Sequence, residues 1–203
     1  MSTSVDALLP LSFLQAVRRV DTPDDDSEAE YVSELRNKRL GLSETVYAQI
    51  RRYSDAVKRN QRSASDEVVA LARLIGRRPD AEVVFREAGR ILAGEAYQTI
   101  PSHTRRMLRA LPAFLTRPMS LGRIRRIAQR YLNGHVRRVG SSLILEVAEP
   151  VTLDSAPLGR GCLFYEACLR ELVELTTGVR GVVEHSRCTS RAEGACEWRA
   201  EWR

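Results

Sequence analysis

The sequence predicts an α+β fold, a helical N-terminal half followed by a small antiparallel sheet packed by a helix. Three observations predict it. Between Leu42 and Gly134, apolar residues recur every three or four positions, punctuated by Ser, Pro and Gly at helix starts and stops. After Ser142 the pattern changes to short apolar or alternating runs, SLILEVAE and ACEWRAEW. Between those runs lies one strongly amphipathic segment, Cys162–Thr177. The chain has 203 residues, 43% apolar and 29% charged, a globular composition with room for one sizeable core. No run approaches the ~18 apolar residues of a membrane span. The opening MSTSVDALLPLSFLQAVRRV lacks the basic start of a signal peptide, so a cytoplasmic location is expected.

Taken in order, residues 5–20 show an amphipathic pattern of Leu8, Leu9, Leu11, Phe13, Leu14 and Val17. The acidic stretch from Asp21 to Glu30 reads as a solvated linker. Ser43 is placed to cap a helix with Val46, Ile50, Tyr53 and Val57 on one face. Ser65 is placed to cap a second helix with Val68, Leu71, Ala72 and Ile75 inward. Pro79-Asp80 breaks it and starts a third, with Val84, Ala88, Ile91 and Leu92. A short helix runs from Pro101-Ser102 to about Leu111-Pro112. Another opens at Ser120, turns Leu121, Ile124, Ile127, Ala128 and Tyr131 to the core, and stops at Gly134. A strand over Ser142–Glu149 and a Pro- and Gly-rich loop lead into the Cys162–Thr177 helix, which Gly178 ends. Val179–Ser186 reads as a strand, Thr189–Gly194 as a turn and Ala195–Trp202 as the last strand. The chain divides into residues 1–41 (N-terminal helix and acidic linker), 42–80 (helical extension) and 81–203 (the domain with the sheet).

The net charge is +6, unevenly placed. No Asp or Glu falls between Ala96 and Leu145, while arginines crowd there from Arg105 to Arg138. Such a stretch can attract phosphates or clamp a carboxylate-bearing ligand. Arg123, Arg126 and Arg130 lie beside or opposite the apolar stripe of their helix, so a solvated face is expected and nucleic acid is not.

Four cysteines in a reducing compartment are not expected to form disulfides. Cys188 and Cys196 flank the hairpin turn, so forming the hairpin brings their sulfurs together. Cys162 opens the preceding helix, which can return it to the same turn. His185 lies three residues before Cys188. Three thiolates and an imidazole suit tetrahedral Zn²⁺, and a closed set of four is structural because it leaves no place for water or substrate. The same cysteines also read as ordinary buried residues. Glu184 is an alternative to His185 as the fourth ligand. Cys168, on the apolar face of the helix, reads as core.

At these residues the sequence resembles the 4-vinyl reductase domain family, through GCLFYEACLRELVELTTG, GVVEHSRC and RAEGACEWRAEW. AGRILAGEAY and RRMLRALP look like the helical middle of the same family, so the resemblance spans about residues 82–203. Its members include a protein of bacteriochlorophyll biosynthesis and the sensor domains of phenol- and toluene-responsive activators. The fold is shared with vesicle-tethering TRAPP subunits and, more distantly, with haem-based nitric oxide sensors. The resemblance implies a structural zinc on Cys162, Cys188 and Cys196, with His185 at or beside the position where the sensors carry a carboxylate. It also implies an enclosed pocket for an aromatic ligand between the helical half and the sheet. Tyr131, Phe164, Tyr165 and Trp198 are the candidates for lining it. Where the sensors place a polar-aromatic pair this chain offers only His103, His135 and Tyr131.

No GxGxxG follows a strand, no P-loop is present, and no Ser-His-Asp or paired-carboxylate arrangement stands out. The expected function is therefore non-catalytic binding of a small hydrophobic or aromatic ligand, with zinc as a structural clip. The alternatives are a vinyl reductase or carrier acting on a tetrapyrrole of bacteriochlorophyll synthesis, and a homodimeric protein-interaction module like the tethering subunits.

Overall fold

The computed structural model describes residues 4–22, 40–110 and 113–201. Strand β1 (Ser4–Asp6) leads into helix α1 (Leu8–Asp21). The Asp6 carboxylate accepts the Leu8 amide at 3.0 Å and so occupies one of the helix's free N–H groups. α1 is buried on nearly every side, by Leu8, Leu9, Leu11, Phe13, Leu14, Ala16 and Val17. A helix apolar all round belongs inside a core, which departs from the one-sided pattern read in the sequence. Asp21, read as the start of a solvated linker, is buried at the end of α1. Its carboxylate accepts from Arg78 at 2.6 and 3.0 Å and from the Gly41 amide at 2.7 Å. The acidic run from residue 23 onward lies outside the described residues.

After a 3-10 turn (Leu40–Leu42), α2 (Glu44–Lys58) starts as expected, with Ser43 Oγ accepting the Val46 amide at 3.3 Å. Strand β2 (Arg62–Ala64) pairs antiparallel with β1, Ser4 opposite Ala64, a ribbon too short to announce itself in the sequence. α3 (Ser65–Gly76) follows directly. Ser65 is its first residue, and Ala64 stands at the cap position with no side-chain bond. α4 (Ala81–Gln98) and α5 (Ser102–Ala110) fall where the Pro-initiated patterns put them. α6 (Ala113–Tyr131) begins well before Ser120 and carries Pro118 inside it. Ser120 does not cap, because its hydroxyl is turned to the Thr176 carbonyl at 3.0 Å. At the far end Asn133 takes the left-handed turn (φ 49°) and Gly134 closes it by donating to Ala128 O at 3.1 Å. Gly134 is needed for closeness: a Cβ there would lie 2.8 Å from Leu145 Cδ1.

The sheet has four antiparallel strands in the order β3 (His135–Val139), β4 (Ser142–Val147), β6 (Cys196–Glu201), β5 (Val183–Arg187). β3 was not foreseen, since HVRRV spaces its valines by three and shows no alternation. β5 starts four residues later than expected. Helix α7 (Leu163–Thr177) packs across the sheet and ends on Gly178 in the left-handed conformation (φ 74°), whose amide returns to Glu174 O at 2.8 Å.

α4 packs against both α1 and α7. One continuous core joins the helices to the sheet. Aromatic rings run through it in sequence. Phe85 of α4 meets Phe13 of α1 edge-on at 6.0 Å, and Phe13 meets Phe164 of α7 at 5.0 Å. Phe164 meets Tyr165 at 5.0 Å, Tyr165 stacks on Trp198 of β6 at 4.8 Å, and Trp198 stacks on His185 of β5 at 4.8 Å. No helix among the described residues is long and apolar enough to cross a membrane.

Candidate metal centre

Three pieces of chain meet at one edge of the sheet. Cys162 closes a 3-10 turn (Pro157–Cys162) and stands at the entry to α7. Cys188 follows β5 and precedes a second 3-10 turn (Thr189–Arg191), and Cys196 is the first residue of β6. His185 sits opposite Trp198 in the β5–β6 ladder, just before an irregularity in register. All three cysteines are buried and His185 is half-buried. One ligand atom from each of Cys162, His185, Cys188 and Cys196 lies within 4.8 Å of every other, with the Cys188 and Cys196 sulfurs 3.9 Å apart.

The surroundings fit a cation. His185 Nε2 is buried with no hydrogen-bond partner, an arrangement that costs free energy unless something else meets the lone pair or proton. Burial holds the imidazole below its ordinary pKa, with Arg191 adding to the effect, so the neutral ligand form is favoured. Burial also pushes the Cys162 thiol up, and the neighbouring sulfurs of Cys188 and Cys196 push it further. At Cys188 burial acts in the same direction, but hydrogen bonding from the Ser190 hydroxyl and backbone amide, joined by the Cys196 and Cys162 thiols, together draws the thiol down. The Cys196 sulfur accepts the Thr189 amide at 3.3 Å and lies 3.4 Å from the Thr189 hydroxyl, while Cys188 Sγ is 2.9 Å from Ser190 Oγ. Donors aimed at sulfur are the outer contacts that orient and tune thiolate ligands. The Cys188 amide in turn donates to Glu193 Oε2 at 2.8 Å, and Trp198 Nε1 donates to Cys162 O at 3.2 Å. These contacts fix the turn and the helix entry around the sulfurs.

The four residues singled out as ligands are thus brought together. Cys168 is fully buried on α7 and is not part of the group. Glu184 is exposed and stands opposite Arg199, one residue out of phase with His185 on the strand. The supporting residues Thr189, Ser190 and Glu193 were not picked out from the sequence. A hydroxyl pair directly after a candidate ligand cysteine was the available signal.

A cavity of about 620 Å³ opens beside the group. Cys162, His185 and Cys188 contribute to its wall, together with Leu153, Pro157, Leu158 and Arg191. Leu158 is 92% exposed and left-handed (φ 57°), next to left-handed Gly159 (φ 69°). Phe164, Tyr165 and Trp198 are not in this wall; all three are at most 1% exposed and stack within the aromatic row. The Tyr165 hydroxyl is engaged by the Val151 amide at 3.1 Å. Tyr131 lies on α6 in a separate concavity with Arg123, Arg126 and Arg130.

No protein-family model and no curated protein matches the chain.

Proposed function

We propose that Cys162, His185, Cys188 and Cys196 hold one Zn²⁺ as a structural clip, and that the chain is a non-catalytic binding module for a small, partly apolar molecule seated in the adjoining cavity. The observation that carries the first half is the orphaned His185 Nε2 beside three mutually close, buried sulfurs. The donor set favours zinc, because thiolate and imidazole are its preferred ligands and a d¹⁰ ion accepts whatever tetrahedral arrangement the fold supplies. When bound, the ion supplies the positive charge that lets crowded thiols stay ionised. Four protein donors leave no open position, so the ion is read as a wall rather than a reagent. The second half is supported by the cavity, whose lining mixes apolar Leu153, Ala156, Pro157 and Leu158 with polar Asp154, Ser155, Ser190 and Arg191, a combination that can seat an apolar body and orient it by a few polar contacts. This is also the reading that the resemblance to the 4-vinyl reductase domain family implies.

Native mass spectrometry of untagged protein from its own cell tests both halves. The expected result is one zinc per chain, lost on Cys188→Ser. Phenol, titrated as the probe, is expected to shift the backbone amides of Ala156, Leu158 and Arg191 saturably. Protein that carries neither zinc nor iron overturns the clip. A co-purified pigment with zinc-loaded protein transfers the binding reading to a tetrapyrrole.

A further inference from the structure

The C-terminal half of α6 carries a second concave site that shares no residue with the cysteine–histidine group. A helix advances about 100° per residue, which places Arg123, Arg126 and Arg130 in one arc of about 60°. Ile127 and Tyr131 come next around the helix, on its buried side. Together with Ile100, at the end of α4, they enclose a groove of about 200 Å³.

Three like charges at this spacing repel one another and lower helix stability unless an anion meets them. Only one is visibly answered. Arg130 donates to Asp6 at 3.1 Å and to Asn60 at 2.9 Å, with its guanidinium 5.1 Å from the Tyr131 ring centre. Arg123 and Arg126 make no hydrogen bond or ion pair among the described residues. The carbonyls at the end of α4 do not serve them either. Ala96 O accepts both the amide and the hydroxyl of Thr99, and Tyr97 O accepts the Ile100 amide. No Asp or Glu occurs anywhere between Ala96 and Leu145.

We propose that this groove binds a small oxyanion carried on an apolar body, either an organic carboxylate or a phosphate ester. Arg123 and Arg126 present planar forks that match a carboxylate or phosphate with paired hydrogen bonds. Arg130, held from behind by Asp6 and Asn60, fixes the third side. Ile100, Ile127 and the Tyr131 ring form an apolar floor for the body of the ligand. The groove is smaller than the ~300–1,000 Å³ of drug-sized pockets, which selects a compact molecule. A polynucleotide would instead lie across the exposed arginines at large, without needing the concavity.

The test is a titration of the full-length chain with benzoate and, separately, inorganic phosphate, in about 0.15 M salt so that distant surface charges are screened. The readout is the arginine Nε–Hε signals. The expected result is saturable shifts at Arg123, Arg126 and Arg130 with at least one of the two anions. Benzoate alone identifies a carboxylate on an apolar body, and phosphate alone identifies a phosphate. Arg123→Gln and Arg126→Gln should each weaken binding at least tenfold while the rest of the amide spectrum is unchanged. Saturation by neither anion overturns the site, as do shifts that persist in the double variant. Binding of a single-stranded oligonucleotide that moves Arg106, Arg137 and Arg138 equally, with no small-anion saturation, assigns the face to nucleic acid and also overturns it.

Discussion

His185 is held between two demands. Its ring is nearly parallel to Trp198, 10° apart at 4.8 Å, and its Nε2 is buried without a protein partner. Alternation along β5 decides which residue reaches the sulfurs. His185 shares its side of the strand with buried Val183, and Glu184 points the other way. If the clip is as proposed, His185→Ala should weaken zinc binding by more than the roughly 10- to 100-fold that loss of a mere outer contact costs. Glu184→Ala should leave it unchanged, and His185→Cys should restore it as a four-thiolate set. Competition against a chromophoric chelator measures all three. Equal losses in the alanine variants would move the fourth ligand away from His185.

At the scale of elements, the helix contact that positions Cys162 rests on one glycine. Gly89 of α4 faces α7 so closely that an added Cβ would strike the Phe164 carbonyl oxygen and lie 2.9 Å from the Cys168 amide. Gly94, one and a half turns on, has nothing within 4 Å of an added Cβ. Gly94→Ala should therefore stabilise the protein by about 0.5–1 kcal/mol through helix propensity alone. Gly89→Ala should destabilise it by about 1–3 kcal/mol, since overpacking exceeds the same propensity gain. Urea unfolding of the two variants checks the pair; stabilisation by both would show that α4 and α7 can separate freely. AGRILAGEAY displays both glycines, but nothing in it says which one a neighbouring backbone approaches. What was legible had strong local signals: the periodicity of α4 and α7, the Ser43 cap, the Gly178 stop, and cysteines flanking a turn. What was not legible depended on partners distant in sequence. β1 and β2 are held by each other, β3 by β4, and Ser120 by Thr176 on α7. The ligand wall expected from Phe164, Tyr165 and Trp198 has the same origin. Tyr165 stacks on Trp198 of the sheet, and only the fold shows Phe13 filling the space against Phe164.

Across the whole molecule, α1 is bound into the core that holds the sheet. The aromatic row links Phe13 to Trp198, and the Asp21–Arg78–Asp80 group ties the end of α1 to the turn between α3 and α4. Arg78 donates to Asp21 at 2.6 Å and to Asp80 at 2.8 Å, with the Asp21 side chain only 6% exposed. Removing one member of a buried pair leaves the other charge uncompensated, at a cost of about 3–5 kcal/mol. Asp21→Ala should fall near the lower figure, because Asp80 still holds the guanidinium. The group also sets an acid limit. Hydrogen bonding from Arg78 holds the Asp80 carboxyl below its ordinary range, against an opposing effect of burial. A depressed carboxyl contributes stability that is complete above its unfolded pKa of about 4 and is lost as pH falls through the folded value. Arg78→Gln should thus flatten the loss of stability below about pH 4. One measurement then separates a built-in α1 from an appended one. With Trp202 replaced by Phe, Trp198 fluorescence reports the sheet alone, while far-UV circular dichroism reports mostly helix. If α1 belongs to the same cooperative unit, Asp21→Ala lowers both midpoints together. If α1 unfolds separately, the dichroism midpoint falls and the Trp198 midpoint stays where it is.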